Sequence, residues 1–241
     1  MWAAGLMLAW ALSLAWLLSL DLPRLTWWGV TLAVLLRTQL QTGLFIVAHD
    51  AMHRVLWPGR RLWNDRIGAL ALMLYAALRF RSCHRQHRRH HHQPASAADP
   101  DFPADRRAGP LPWYRQFMAG YLSPAQMARL LAIWAMLLLA CGSSGTPCQA
   151  GLKLLLFCTL PLLLSSLQLF VFGTYLPHRG QRLPESRSHP DSLNLPPWLS
   201  LLACFHFGYH REHHDDPALP WFELPAARRR ALALTLTGTL R

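Results

Sequence analysis

The sequence predicts an all-α membrane protein, with four transmembrane helices arranged as two hairpins below a histidine-rich cap. Of the 241 residues, 52% are hydrophobic and only 15% are charged, whereas a soluble domain carries roughly 25% charged residues. The apolar residues gather in segments long enough to cross a bilayer. The 13 histidines cluster mainly at the ends of these segments. Together these features argue against an ordinary soluble enzyme, a disordered tail and a coiled coil.

The four predicted spans form two pairs, each joined by a short loop. The first pair covers residues 2–20 and 26–48, and the second covers 128–141 and 151–172. No basic stretch precedes the first segment and no clear A-x-A site follows it, which favours a retained helix over a signal peptide. The stretch 67–78 is apolar but short, so we expect an interfacial or re-entrant helix there.

The basic residues predict the orientation in the membrane. The net charge is +12, and Lys153 is the only lysine among many arginines. Most arginines lie in the stretches 54–66, 79–115 and 178–187, while the two hairpin loops contain only Arg24. Because cytoplasmic loops carry the excess of basic residues, we expect both hairpin loops outside and both chain ends in the cytoplasm. Every histidine cluster then lies on the cytoplasmic side.

Three histidine boxes have the spacing of metal ligands on helices. The first reads HxxxH, and residues four positions apart lie on one face of a helix. The other two read HxxHH, so we expect each to bring three imidazoles to a shared centre. A ninth histidine stands alone at the exit of the fourth predicted span. The candidate metal ligands are His49, His53, His87, His90, His91, His178, His210, His213 and His214.

Nine imidazoles are too many for one metal ion and suit two, because one ion takes about four to six ligands. Neutral imidazole binds Zn, Cu, Fe and Ni, so the ligand type alone does not identify the metal. Taken alone, the arginine-rich second box could also be a basic solvated tract or a phosphate-binding patch. The HxxxH spacing, taken alone, could be an incidental pair of surface histidines. Their joint occurrence at the ends of apolar segments favours a metal centre.

Acidic residues near the boxes are candidates for orienting the rings, since a ligating histidine usually donates its other N–H to a carboxylate or carbonyl. Asp50 and Glu212 lie inside boxes, where a plain helix-surface charge is the alternative, and Asp99 and Asp101 follow the second box. His206 is either an orienting group or a further ligand. The histidines left without a role are His84, His92 and His189.

Longer stretches around the boxes resemble a known family. HxxxH and two HxxHH boxes on four spans are similar to the membrane-bound di-iron fatty acid desaturase/hydroxylase superfamily. The more specific stretches are FIVAHDAMH at 45–53, DPDF at 99–102, FVFGTYLPHR at 170–179 and CFHFGYHREHH at 204–214. These resemble the bacterial β-carotene ketolases. The stretch 180–195 is short and altered relative to that family, but no predicted ligand is missing.

The resemblance implies a single integral-membrane domain over residues 1–241, in a bacterial inner membrane. It implies two Fe ions that use O2 to oxidise the C4 methylene of a carotenoid β-ionone ring, by two hydroxylations and loss of water. β-Carotene would give echinenone and then canthaxanthin. The nine histidines would be the metal ligands, with no catalytic residue separate from them. The sequence shows no flavin or nucleotide motif, so we expect an external electron donor such as a ferredoxin.

Other functions remain open on the sequence alone. A carotenoid ring hydroxylase or an acyl-lipid desaturase would share the di-iron site and differ in product. A membrane metal transporter should place ionisable groups at mid-membrane, where the sequence has only Arg37. Nucleic-acid binding by the arginine tract conflicts with the apolar segments. We therefore expect the lipid membrane and a carotenoid substrate as partners, and no nucleic acid.

Overall fold

The protein is known from a computed structural model that describes residues 2–142, 146–182 and 189–236. Within these ranges all regular secondary structure is helical, as predicted. The α-helices are α1 (Trp2–Ser19), α2 (Trp27–Met52), α3 (Arg61–Ala76), α4 (Phe80–His92), α5 (Pro110–Tyr121), α6 (Pro124–Gly142), α7 (Pro147–Leu154), α8 (Leu160–Leu169), α9 (Leu176–His178), α10 (Pro197–Cys204), α11 (His210–Asp215) and α12 (Leu224–Leu236).

Four helical stretches are long and apolar enough to cross a membrane, which confirms the predicted number. They are α1, α2, α6 and the continuous helix Pro147–Gln181 that contains α7, α8 and α9. Large apolar side chains cover their outer surfaces, among them Trp16, Leu35 and Leu139. Such a surface suits lipid, because an exposed apolar area of this extent is unusual on a soluble monomer.

Two spans extend beyond their predicted ends, and both do so on the side of the histidines. The second was predicted to end at residue 48 and continues to Met52, and the fourth was predicted to end at 172 and continues to Gln181. Two of the polar residues in these extensions, His49 and His178, are only 3% and 1% exposed. They are buried against protein, so hydropathy falls there while the helix continues.

Close helix contacts bring α1 and α3 against α2. A Cβ atom at Gly43 would lie 2.5 Å from the side chain of Leu6, so α1 and α2 approach at this glycine. A Cβ atom at Gly68 of α3 would overlap Phe80 and the side chain of Ala51 on α2. The helix predicted at 67–78 is α3, which is longer than expected because it begins at Arg61. It packs along the second span.

The charged residues inside the spans tie helices together. Arg37 is 1% exposed and donates hydrogen bonds to the Trp10 carbonyl at 2.6 Å and the Phe157 carbonyl at 3.3 Å. Phe157 lies in a π-helical segment of the fourth span, and such segments expose backbone groups to new partners. Lys153 donates to the Leu18 carbonyl at 2.9 Å. Both cations bind carbonyls at helix contacts, which does not support an ion pathway.

The third histidine box enters the cap through a tight turn. Phe205 and His206 follow α10 with φ angles of 46° and 66°, a region that costs a non-glycine residue about 1–3 kcal/mol. The His206 amide donates to the Ser200 carbonyl at 3.0 Å, which closes the turn. The turn redirects the chain so that α11 lies over the ends of the spans.

Candidate metal centre

All nine histidines predicted as ligands come together in two adjoining groups. In each group, one ring nitrogen per residue lies within 4.8 Å of the corresponding nitrogens of the others. The first group contains His49, His53, His87, His91 and His213. The second group contains His90, His178, His210 and His214. Helices α2, α4, α9 and α11 supply eight of these rings, and His53 is the C-cap residue of α2.

Each HxxHH box is divided between the two groups, whereas the sequence predicted one shared centre per box. In α4, His87 and His91 join the first group and His90 joins the second. In α11 the division is the same, since His213 lies apart from the other two histidines of its box. At 3.6 residues per turn, positions i and i+4 differ by about 40° and position i+3 lies about 60° to the other side. One helix between two centres therefore serves both.

The ring nitrogens of the first group face one another. The Nε2 atom of His53 lies 2.7 Å from that of His87. The Nε2 atom of His213 lies 3.0 Å from that of His91. These atoms converge on a common point, as the ligands of one ion do.

The second group has the same arrangement and touches the first. The Nε2 atom of His214 lies 3.1 Å from those of both His90 and His210. The rings of His214 and His91 are stacked, with centroids 4.3 Å apart. The two groups are thus neighbours and could hold two metal ions side by side.

Orphaned ring nitrogens show that the donor set fits metal ions. The Nε2 atoms of His49 and His178 are buried and have no hydrogen-bond partner among the described residues. Leaving a buried polar atom unpaired costs about 1–3 kcal/mol. One of these atoms belongs to each group, so one ion per group would satisfy both.

Burial keeps most of the rings neutral, which is the form that binds metal. It lowers the pKa of His53 to about 4 and the pKa of His91 to about 2, with neighbouring imidazoles adding to the effect. Burial is likewise the main reason that the pKa is well below 6.5 for His87, His210, His213 and His214. For His90 burial is also the largest single influence and lowers the pKa, but the hydrogen bond with Asp99 and the charges of Asp99 and Asp101 together outweigh it, so the pKa is raised.

Hydrogen bonds at Nδ1 orient two rings of the second group. The Nδ1 atom of His90 lies 3.0 Å from Oδ2 of the buried residue Asp99. An ionised carboxylate has no proton to donate, so Asp99 is the acceptor and the His90 ring is the donor. The Nδ1 atom of His178 lies 2.6 Å from Oε1 of Gln181. Both contacts direct Nε2 toward the group. The sequence singled out Asp99 but missed Gln181, whose spacing of three residues after His178 was its one available signal.

The two predicted acids inside the boxes, Asp50 and Glu212, have different surroundings. Asp50 is buried, but its nearest carboxylate oxygen is 3.7 Å from Nδ1 of His49, which is too long for a hydrogen bond. Glu212 accepts hydrogen bonds from Arg228, at 3.0 Å, and from Ser192. Its bonds fasten α11 to α12 and to the segment before α10.

The four other histidines lie outside both groups. His206 is stacked on Trp221, with ring centroids 5.8 Å apart. The Nδ1 atom of His189 lies 3.5 Å from Oδ1 of Asp215, and both side chains are about half exposed. His84 and His92 also lie apart from the groups, so the structure brings together the nine candidates and none of the histidines left without a role.

An apolar cavity of about 250 Å³ opens onto both groups. His49 and His87 of the first group line it together with His90 and His210 of the second. The walls come from α3, α5, α6 and α8, and they are mostly aliphatic and aromatic. Such a cavity suits a hydrocarbon and excludes water from the rings.

A smaller cavity of about 110 Å³ continues the space into the spans. The two cavities share the side chains of Tyr75, Leu130, Trp134 and Leu162. The sequence placed none of these residues at a binding site, because the space between distant helices has no local sequence signal.

One acidic residue lines the larger cavity close to the rings. Burial raises the pKa of Asp101 to about 6, and the hydroxyl of Tyr121 donates to its carboxylate at 3.1 Å. Tyr121 also lines the cavity and had no role in the sequence analysis. The two side chains form a polar patch beside His90 in a cavity whose walls are mostly apolar.

Comparison with known proteins agrees with the chemistry of the site. The family model described as "Fatty acid desaturase" matches residues 25–238. A protein of Paracoccus sp. (strain N81106 / MBIC 01143) named "Beta-carotene ketolase" is 40% identical over 195 residues, which cover 80% of this chain and 76% of that protein. No solved structure matches the chain.

Algal proteins are similar over even more of the chain. A "Beta-carotene 4-ketolase" of Protosiphon botryoides is 39% identical over 217 residues, which cover 86% of this chain and 53% of the relative. A "Zeaxanthin 4-ketolase" of Chlamydomonas reinhardtii is 36% identical over 235 residues, which cover 94% of this chain and 50% of the relative. The chain thus matches about half the length of these two algal relatives.

Proposed function

Because the chain belongs to the fatty acid desaturase family, and within it to the β-carotene ketolases, we propose that it oxidises the C4 methylene of a carotenoid β-ionone ring to a ketone. It is an oxidoreductase of carotenoid biosynthesis and a multi-pass membrane protein. β-Carotene gives echinenone and then canthaxanthin. We propose two irons as cofactors, with the nine histidines of the two groups as their ligands.

The observation that carries this proposal is the junction of the apolar cavity with both histidine groups. A carotenoid is a long hydrocarbon that partitions into the bilayer, and the cavity is lined by apolar side chains of the spanning helices. Imidazoles of both groups also line this cavity. A ring held there meets the two centres while its polyene extends toward the spans.

The chain's own residues bind and orient, while the irons supply the O2 activation that breaking an unactivated C–H bond requires. Asp99 and Gln181 hold the rings of His90 and His178 with Nε2 directed into the second group. The apolar wall positions the ring methylene and keeps water away. Two hydroxylations at the same carbon, followed by loss of water, give the ketone.

We propose an orientation with the histidine groups and both chain ends in the cytoplasm of a bacterium, and the spans in its inner membrane, as one domain. The arginine distribution supports this through the positive-inside rule. A cytoplasmic site is accessible to a soluble electron carrier, so we propose a ferredoxin-type donor. The family model, which covers residues 25–238, supports a single domain.

Pigment analysis tests the function. The chain is expressed in cells that accumulate β-carotene, beside a His213→Ala/His214→Ala variant and a matched His189→Ala control at a histidine outside the groups. We expect a conjugated ketone from the parent and the control, and none from the double variant, with products identified by mass and absorption spectrum.

Other products would change the proposal in defined ways. A ring alcohol without ketone would make the chain a ring hydroxylase with the same site. Unchanged β-carotene from well-expressed, iron-loaded protein would contradict ketolation of this substrate. A parallel strain that accumulates zeaxanthin tests whether a hydroxylated ring is accepted.

A further inference from the structure

The outer face of α4 carries a compact group of arginines. Arg81, Arg85, Arg88 and Arg89 are all exposed, and with the exposed His92 we call them the α4 arginine face. At about 100° per residue, these side chains lie opposite the buried face of the helix, which carries Phe80, Cys83 and the ligand candidates. The same helix therefore presents histidines inward and cations outward.

These arginines have no structural partner in the described part of the chain. Other arginines do: Arg54 pairs with Asp65, Arg228 pairs with Glu212, and Arg129 binds a backbone carbonyl. None of the four guanidinium groups of the α4 arginine face forms an ion pair or hydrogen bond with a described residue. Four unpaired cations on two turns of one helix repel one another, so their charge is best satisfied by an external anionic surface.

A broad groove lies along this face. It has a volume of about 810 Å³ and is lined by Arg85, Arg88 and Arg89 together with Gln93 and Gln116. Its wall also includes Asp99, which is hydrogen-bonded to His90 of the second group. The groove is thus large enough for side chains of another protein. Asp99 connects it to the metal-ligand candidate His90 through a single hydrogen bond.

The distance from this face to the site is one helix diameter, roughly 10–12 Å. His87 and His91 project from the opposite side of α4 into the first group, and His90 projects into the second. A redox group docked on the α4 arginine face is therefore close to both groups at once.

The proposed reaction requires electrons that the chain does not supply. Each hydroxylation by O2 inserts one oxygen atom into a C–H bond, reduces the other to water, and consumes two electrons and two protons. We propose that the α4 arginine face is the docking site of an acidic one-electron carrier protein of the ferredoxin type, which delivers these electrons across α4. The choice of partner rests on the proposed function.

The geometry favours a protein partner over lipid headgroups. The inner face of α4 carries ligand candidates of both histidine groups at the ends of the spans, so its outer face points away from the helix bundle. A membrane surface would instead meet cations beside the spans. Anionic lipid is accordingly the alternative that the experiment must separate.

Binding of a purified [2Fe–2S] ferredoxin to the full chain in neutral lipid nanodiscs tests the inference. The Arg85→Gln/Arg89→Gln variant is compared with Arg229→Gln/Arg230→Gln, which removes the same charge from exposed positions on α12. We expect the first variant to lower the association rate constant about tenfold at low salt and to weaken its salt dependence. The α12 control and an Arg85→Lys/Arg89→Lys variant should stay within about threefold of the parent.

Hydrogen exchange of the parent protein gives a measurement that needs no variant. Ferredoxin should slow amide exchange in residues 80–93 and leave residues 224–236 unchanged. Equal binding by the parent and the Arg85→Gln/Arg89→Gln variant would overturn the inference, as would protection confined to other segments. If the Arg85→Gln/Arg89→Gln variant lost binding to phosphatidylglycerol vesicles but still bound ferredoxin like the parent, the face would be assigned to lipid and the inference would also be overturned.

The docking inference and the proposed function fail in separate experiments. The function fails when the iron-loaded parent forms no ketone even with a chemical reductant. The docking inference fails on the ferredoxin binding and exchange data alone, whatever the pigments show.

Discussion

Asp99 and Gln181 contact the two histidines whose surroundings are best defined, His90 and His178. Each accepts a hydrogen bond from the ring Nδ1–H through a side-chain oxygen and so leaves Nε2 for a metal ion. Asp99 could be predicted because acids near a histidine box commonly take this role. Gln181 could not, because it lies in a helical extension that hydropathy assigned to a loop.

Removing the charge of Asp99 should weaken metal binding. In Asp99→Asn the ring of His90 loses its ionic partner, and such changes cost about 10–100-fold in metal affinity. Iron affinity measured by competition with a chelator checks this. The exposed Asp105→Asn variant is the control and should bind iron like the parent. Parent-like affinity in Asp99→Asn would show that the hydrogen bond does not support the site.

Acid should destabilise the metal-free protein. Burial holds the pKa of His53 at about 4 and that of His91 at about 2, below the 6.5 of an exposed histidine. Below about pH 6.5 the unfolded chain therefore binds more protons, so stability is full above this pH and is lost as the pH falls. The raised pKa values of His90 and Asp101 oppose this, but they are outnumbered by the six histidines of the cap with a lowered pKa, His53, His87, His91, His210, His213 and His214. Thermal unfolding in detergent from pH 8 to pH 5 checks it, and a constant or rising Tm would contradict it.

Helices α4 and α11 show what element-level prediction can and cannot supply. Their HxxHH spacing predicted helices with ligands on one side, and both helices are present. The division of each box between two groups follows from the helix position between the centres, which spacing alone does not give. Likewise, the ends of α2 and of the fourth span depend on burial of polar residues by other elements.

The attachment of α6 is a local feature with a measurable contribution. The Arg129 guanidinium donates from Nε and Nη2 to the Ala77 carbonyl, at 3.2 and 2.8 Å, where α3 ends in a left-handed residue. Arg129→Ala should lower the free energy of unfolding by about 1.5–3 kcal/mol, the value of a hydrogen bond to a charged group.

Denaturant unfolding in detergent measures this change in the free energy of unfolding. Arg115→Ala, at an exposed arginine of α5, is the control and should change it by less than about 0.5 kcal/mol. An equal effect of the two substitutions would show that the contact does not anchor α6.

For the whole molecule, the sequence was sufficient for the all-α class, the number of spans and the nine converging histidines. It was not sufficient for the cavity, because Tyr75, Leu130 and Leu162 belong to three helices distant in sequence. Their contact results from tertiary packing. The family stretches at 170–179 and 204–214 carried more functional information than any local pattern. Residues 183–188 of the altered stretch at 180–195 lie outside the described residues.

Filling the cavity should block turnover and spare the metal site. Leu130 is 8% exposed and lines both cavities, whereas its neighbour Leu131 is 55% exposed. Leu130→Trp should therefore reduce ketone yield at least about tenfold while iron content stays at the parent level, since a lost near-attack geometry costs on this scale. Leu131→Trp should retain parent yield, as measured by pigment analysis. Equal yields from both variants would place the substrate elsewhere.

The metal content of the purified chain tests the central claim most directly. Two adjoining groups of imidazoles, each with an orphaned buried Nε2 atom, predict two metal ions per chain, and membership of the fatty acid desaturase family predicts that both are iron. Elemental analysis of protein purified in detergent, with the His213→Ala/His214→Ala variant beside it, should give about two irons for the parent and fewer for the variant. A single metal ion per chain, or zinc in place of iron with ketone formation intact, would contradict the account.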